Sequence, residues 1–512
     1  MKKVYMLTIS VSLMLLGFTH TFAQDLPWPD LGDAMIIEPG EPGKINDVIH
    51  ADTSATGERL HNHYILRRGQ TYLYTARIQN NGWPLMVTAE DGDGALPIIK
   101  ALGPATGEDE AERIFHAQGD LYIKDLVLNG WDQGGNYTDN ATVRLAADEI
   151  TVVCDNIMFD FNRQNNLRVN AAGCSLYVAN SIISNQGISS RLWQGFALHM
   201  RGNPYPIIHF QNNTIYNMHN TTANSGSPAR YNKLIFEHNT VVNTGTGGFN
   251  FGRPDSLIFK NNLYVNMGIL GDAIVGDRDN FAEPFYYFSI DSAFTDETNT
   301  TLQEPMHVDF TNNHFYLDPD VAALLPDSAN KSTASLMHPY LLDLIGDGVN
   351  VVADEAFSFT NFPATLNEYE AYINDFYTFA DEPAQMPQFE TDFRVMDFSY
   401  SESHDAYSAA TDGGPLGDRN WFPNYVGLSS FTFQNFDVYP NPVENQIRVS
   451  LKSDQTVDRV VISNILGQEM KSVQNITGKE FVIDARELNT GIYFVKFYRN
   501  NSLSGTSKII KK

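Results

Sequence analysis

Cysteine is nearly absent from this chain of 512 residues, which contains only Cys154 and Cys174. Two residues cannot make a disulfide framework, and C-x-x-C zinc spacing is missing, so packing alone must hold the fold together. Positive charge is scarce as well. Against 61 Asp and Glu stand 34 Lys and Arg, a formal charge of −27. Such a chain repels nucleic acid unless basic groups gather locally, so a general nucleic-acid binder is disfavoured. Beyond the first residues no apolar run approaches the ~20 residues of a membrane span, so none is expected in the mature protein. What remains is 42% hydrophobic and 19% charged, enough to bury a real core in two to four domains.

The two ends read as addresses. Lys2 and Lys3 precede an apolar run from Val4 to Phe18, and small residues Thr21 and Ala23 stand before Gln24. That pattern predicts a signal peptide over 1–23. From Phe436 the composition shifts to short alternating strands separated by turns, which predicts a small β-sandwich over 436–512. This tail carries Val438-Tyr439-Pro440-Asn441-Pro442, Asn464-Ile465-Leu466-Gly467, Leu488-Asn489-Thr490-Gly491-Ile492-Tyr493-Phe494-Val495 and a basic end at Lys508 to Lys512. Together these motifs resemble the C-terminal sorting domain of the Bacteroidota type IX secretion system. The resemblance implies export through the periplasm, the type IX machinery as a partner, and release or attachment at the outer surface.

Between Leu121 and Tyr316 one pattern returns: an apolar strand, an asparagine, a second apolar strand. Its anchors are Asp125, Asn156, Asn180, Asn213, Asn239, Asn262 and Asn313. Intervals of roughly 20–30 residues, longer where loops are inserted, are those of stacked coils. Asparagine suits a left-handed turn, and its amide can stack on the same residue of the next coil. The pattern resembles the right-handed parallel β-helix of pectate lyase-like proteins. We therefore expect an all-β chain with an N-terminal segment and capping helix over 24–62 and a parallel β-helix over 63–320. A C-terminal extension and linker would fill 321–435, ahead of the sandwich. Open solenoid ends invite edge pairing, hence the expected helix within Lys44 to Leu60. A second helix is expected over Asn367 to Phe379, and a turn-rich close over Asp412 to Trp421.

Counting twelve residues back from an anchor reaches Arg144 from Asn156, Arg168 from Asn180 and Asn250 from Asn262. In the coil ending at Asn213 the turn is longer, and His199 takes the matching place. Apolar neighbours on both sides put these residues on an outward face by the two-residue strand period. One column would then read Arg144, Arg168, His199, Asn250. β-Helix enzymes resembling pectate, alginate and chondroitin lyases bind their polymer along such a face. Their β-elimination needs a cation on the uronate carboxylate, which Arg144 and Arg168 could supply, and a base near the C5 proton, which His199 could be. Arg201 and Arg253 just past equivalent strands, with Arg191, Arg230 and Lys233 in adjoining loops, would widen a basic groove for an acidic polysaccharide. Trp193, Tyr205 and Tyr231 would offer stacking faces.

Outward arginines are also commonly solvated or paired with acids, and the arginine-proline motif of pectate lyases has no match here. Paired aspartates with Gly-His-Gly, as in polygalacturonase-type hydrolases, are missing too. Calcium is a possible cofactor through Asp91-Gly92-Asp93-Gly94 or Gly346-Asp347-Gly348, although both are short and suit plain turns. Two functional classes remain: a lyase on an acidic glycan, and a non-catalytic glycan-binding or adhesin-type β-helix. Cys154 and Cys174 fall at different levels of the coil cross-section and are expected to stay unbridged.

Overall fold

A computed structural model describes residues 26–512, leaving out 104–112, 188–193, 271–285, 326–334, 378–395, 423–435 and shorter stretches of up to five residues. The chain divides into two compact units, 1–425 and 426–512. The signal-peptide region 1–23 and most of the linker before Phe436 lie outside the described residues.

The larger unit is a parallel β-helix with three faces. Two of them form one eighteen-stranded parallel sheet, because the long strands Leu121–Asn129 and Thr151–Asn162 run through the corner between them. The third is a separate nine-stranded sheet, which begins at Ile78–Gln79 and ends at Ser335–Met337. Parallel pairing starts at Ala34–Ile37 and continues to Val351–Ala353, so the coils run past both ends of the repeat seen in the sequence. The helix Lys44–Ala51 closes the N-terminal end, with Ile45 and Ile49 inside the main core.

Each inward column is filled by like residues at successive rungs. One reads Val87, Ile123, Cys154 and Val178, then Phe210, Phe236, Phe259 and Phe310. The phenylalanine rings follow one another at centroid distances of 5.8, 5.2 and 6.0 Å. Cys154 thus serves as a small apolar filler, its thiol pushed up by burial. Both cysteines are buried and free.

The corner between the first two faces is a turn held by two asparagine columns. Asp125, Asn156, Asn180, Asn212, His238, Asn261 and Asn312 all have φ between 51° and 60°, the left-handed region that asparagine tolerates. The next residue forms the stack. Asn213 Nδ2 donates to Asn239 Oδ1 at 2.9 Å, Asn239 to Asn262 at 3.2 Å and Asn262 to Asn313 at 2.9 Å. The expected single column through Asn156, Asn180 and Asn213 is therefore corrected. Asn156 and Asn180 are left-handed turn residues, whereas Asn213, Asn239, Asn262 and Asn313 stand one place further on, where the earlier coils carry Ile157 and Ser181. His238 fills the turn position in its coil, while His209 lies on a strand near Glu237. A second left-handed column, Asn185, Asn217, Asn243 and Asn266, marks the far end of the second face. Its amides also stack, Asn217 on Asn185 and Asn243 on Asn217.

The extension after the coils does not simply continue the stack. Phe357, Met396, Phe398, Tyr400, Leu416 and Phe422 pack sideways onto Tyr216, Val242, Leu263 and Val265 of the second face. The turn-rich segment over 412–421 is a strap across the asparagine corner. Gly417 N donates to Asn261 O, Asp418 N to Thr240 Oγ1, and Trp421 Nε1 to Thr214 Oγ1. Gly417 has φ 80°, and a Cβ there would stand 2.4 Å from Thr240 Oγ1, so only glycine fits. The helix Leu366–Tyr377 covers the second column, with Tyr369 donating to Asn243 Oδ1.

The strap contains a proton-linked group. Asp418 is buried, accepts from Thr214 Oγ1 and Asn420 N, and its carboxyl is pushed up to about 7 by that burial. The unfolded carboxyl titrates near ~3.9. Between those values the folded chain holds a proton that the unfolded chain has released. The stabilisation is full below about pH 4 and is lost as pH rises through about 7. Asp160, buried beneath Ser184 and Asn185, acts in the same direction. Melting temperature is expected to fall from pH 5 to pH 8, and Asp418→Asn should flatten that fall. An unchanged slope in the variant would remove Asp418 from the account.

The smaller unit is a sandwich of a three-stranded and a four-stranded antiparallel sheet. Its core is its own: Ile447, Val449 and Ile483 from one sheet meet Val460, Ile462, Val495, Phe497 and Ile509 from the other.

Candidate functional site

On the nine-stranded face, alternation sends Phe115, Val143, Leu167, Leu198, Ala223, Phe249 and Phe288 inward. The residue after each of the first five is outward. Register aligns Gln79, His116, Arg144, Arg168, His199, Asn224, Asn250 and Ser289 in one line. At ~4.8 Å per rung, Arg168 stands one rung from both Arg144 and His199.

Two members of the column, Arg144 and Arg168, carry positive charge, and Arg113 and Arg201 lie close enough to add to its field. Arg168 is half-buried, and its Nε donates to Asn170 Oδ1 at 3.0 Å. Burial, then the charges of Arg201, Arg144 and Arg113, lower its guanidinium to about 10. His199 packs against Phe196 with ring centroids 5.3 Å apart. Its imidazole is lowered to about 4, first by burial and then by Arg201 and Arg168, so it is neutral near pH 7. His116 is lowered to about 4 by burial and by Arg113, Arg77 and Arg144, and Arg113 Nη1 lies 3.2 Å from its Nδ1.

The remaining expected residues divide. Arg201 follows the His199 strand directly and is exposed. Arg230 and Lys233 are not loop residues, which corrects that expectation. Both lie in the strand Arg230–Glu237 of the larger sheet, because the stretch after the loop pairs with Tyr205–Gln211 from its first residues. Arg230 is in register with Arg253, which opens the strand Arg253–Lys260, and it contacts Asp255 at 3.3 Å. These two arginines therefore mark the corner after the cationic face, not the face itself. Arg191 and Trp193 lie outside the described residues. Tyr205 and Tyr231 are fully buried against each other in the core, which corrects the expectation that they offer stacking faces. His116 and Asn224 belong to the cluster but escape the twelve-residue count, whereas Arg113 stands twelve residues before Asp125 and was within its reach; the alternation Phe115-His116-Ala117 is the signal that could have found His116. Among the described residues no group of three His, Cys, Asp or Glu converges as a metal site.

The comparison with known families bears on the sandwich. Residues 437–512 match the family model described as Secretion system C-terminal sorting domain. The chain is thus a substrate of type IX secretion, exported to the cell surface or the extracellular space. Among the described residues no helix is long and apolar enough to cross a membrane. No curated protein and no solved structure matches the chain at a significant level.

Proposed function

We propose that the larger unit is a pectate lyase-like polysaccharide lyase that binds an acidic glycan along the nine-stranded face and cleaves it by β-elimination. The alignment of Arg144, Arg168 and His199 on successive rungs carries this reading. The rung spacing is close to the rise of one sugar in an extended polysaccharide, so each rung can meet one sugar.

Arg168 and Arg144 would receive uronate carboxylates through bidentate contacts. A carboxylate seated on Arg168 offsets the positive field that depresses His199, which raises the imidazole toward neutrality when substrate is bound. His199 then takes the C5 proton, and charge developing on the carboxylate is stabilised by Arg168. The C4–O bond breaks, its departing oxygen takes up the proton from the imidazolium, and a C4=C5 double bond remains.

That double bond absorbs near 235 nm, a general property of unsaturated uronates. The purified protein is expected to raise this absorbance with at least one of alginate, pectate, chondroitin and ulvan. Its kcat/KM should fall only below about pH 4, where free His199 protonates. Arg168→Ala should lose turnover while the chain stays cooperatively folded, since the side chain lies outside the core and only its half-buried stem and the bond to Asn170 are lost. Binding without cleavage, dependent on Arg168, would replace the enzyme with a glycan-binding or adhesin-type protein. Neither binding nor cleavage of any anionic polymer would end the reading.

A further inference from the structure

The cationic column does not run off the end of the solenoid. Its first residue, Gln79, opens into a cavity of about 300 Å³ lined by His50, Arg59, Arg77, Gln79, Asn81 and Trp83. That volume is at the lower end of ordinary small-molecule sites.

The N-terminal cap builds the far wall. His50, at the end of the capping helix, accepts from Gln79 N at 3.1 Å. The guanidinium of Arg59 lies 3.8 Å from the centre of the Trp83 ring and also donates to Tyr64 Oη. Arg59 is thereby committed to the wall, and its charge helps hold Asp52 ionised. Arg77 differs. Its Nε donates to Gln79 Oε1 at 2.9 Å, and among the described residues its Nη groups carry no hydrogen bond. Its charge is felt by His116, the next member of the column. The cavity therefore joins a guanidinium, two carboxamides and an indole at the place where the column meets the cap.

We propose that this cavity is a chain-end subsite in which Arg77, Gln79 and Asn81 hold the terminal sugar of an acidic glycan whose next sugars lie along the column. The proposal rests on the glycan reading of that face and adds to it a direction and a stop. A polymer lying on the arginines would run into the capping wall, so only a chain terminus can occupy the last rung. His199 lies four rungs from Gln79, by way of His116, Arg144 and Arg168. At one sugar per rung, cleavage would fall about four sugars from the chain end.

The test is titration calorimetry of the full chain carrying His199→Ala, so that bound glycan stays intact, with alginate, pectate and chondroitin, each as a hexasaccharide and as a long polymer. This parent is expected to bind one of them with one protein per chain at either length. Adding Arg77→Ala should weaken that binding at least tenfold. Asn81→Trp, placed at an exposed position to fill the cavity, should do the same without touching the core. Affinity equal to the parent in both variants overturns the subsite. So does a stoichiometry that grows with chain length, and in either case sensitivity to Arg168→Ala would leave the glycan reading standing. Absence of binding to all three glycans by the parent overturns both.

Discussion

Removal of residues 437–512 should abolish appearance of the protein outside the cell while leaving the β-helix folded. The sorting sandwich keeps a core made wholly of its own residues, from Val443 to Ile509. The β-helix cores draw only on residues before 423. Units with separate cores can fold apart, so the truncated chain should melt as cooperatively as the body of the full chain. Its address, however, is gone. Fractionation should find it retained within the cell envelope, soluble and protease-resistant. Normal export of the truncated chain would show that some other segment carries the signal. Retention as an aggregate would show that the body needs the sandwich to fold.

The second large effect is expected at Asn239, a fully buried side chain in the middle of the stack. Its Oδ1 accepts from both the backbone N and the Nδ2 of Asn213, and its Nδ2 donates to Phe210 O and Asn262 Oδ1. Alanine removes both ends at once and leaves partners on two neighbouring coils without water. Each buried group left unsatisfied costs about 1–3 kcal/mol, so the total should be several kcal/mol and the melting temperature should fall by several degrees. Asn224→Ala, on the half-buried outward column, should shift it by about a degree or less. Similar small shifts for both variants would mean that the stack follows the coils without stabilising them.

The coils were legible because alternation on a strand and asparagine at a turn are local properties. Arg144 and Arg168 were reached from Asn156 and Asn180, which proved to be true turn residues. Asn250 was reached from Asn262, a member of the neighbouring column, only because that coil is shorter by one residue. Where two asparagines adjoin, as at Asn212-Asn213 and Asn261-Asn262, one takes the left-handed turn and the other the stack, and sequence alone does not say which. Asn224 stayed hidden because it stands fourteen residues before the turn at His238, not twelve, so a count back from that turn or from Asn239 passes it by. The cavity at the cap was out of reach for a different reason. His50, Arg59 and Trp83 come from separate segments, and only the docking of the capping helix brings them together. Likewise, nothing local to residues 412–421 indicates that they fold back over coils some two hundred residues earlier.

That fold-back alters the order in which the molecule can be completed. A solenoid whose coils touch only their neighbours can assemble progressively as the chain emerges. Here Thr214 waits for Asp418 and Trp421, 204 and 207 residues later, and Tyr216, Val242 and Val265 stay uncovered until the apolar residues from Phe357 to Phe422 arrive. Contacts of such long sequence separation form late and slowly. The last part of the body to be synthesised is thus a latch on coils made much earlier. A ribosome that stopped short of it would release a chain whose unlatched apolar flank marks it as unfinished.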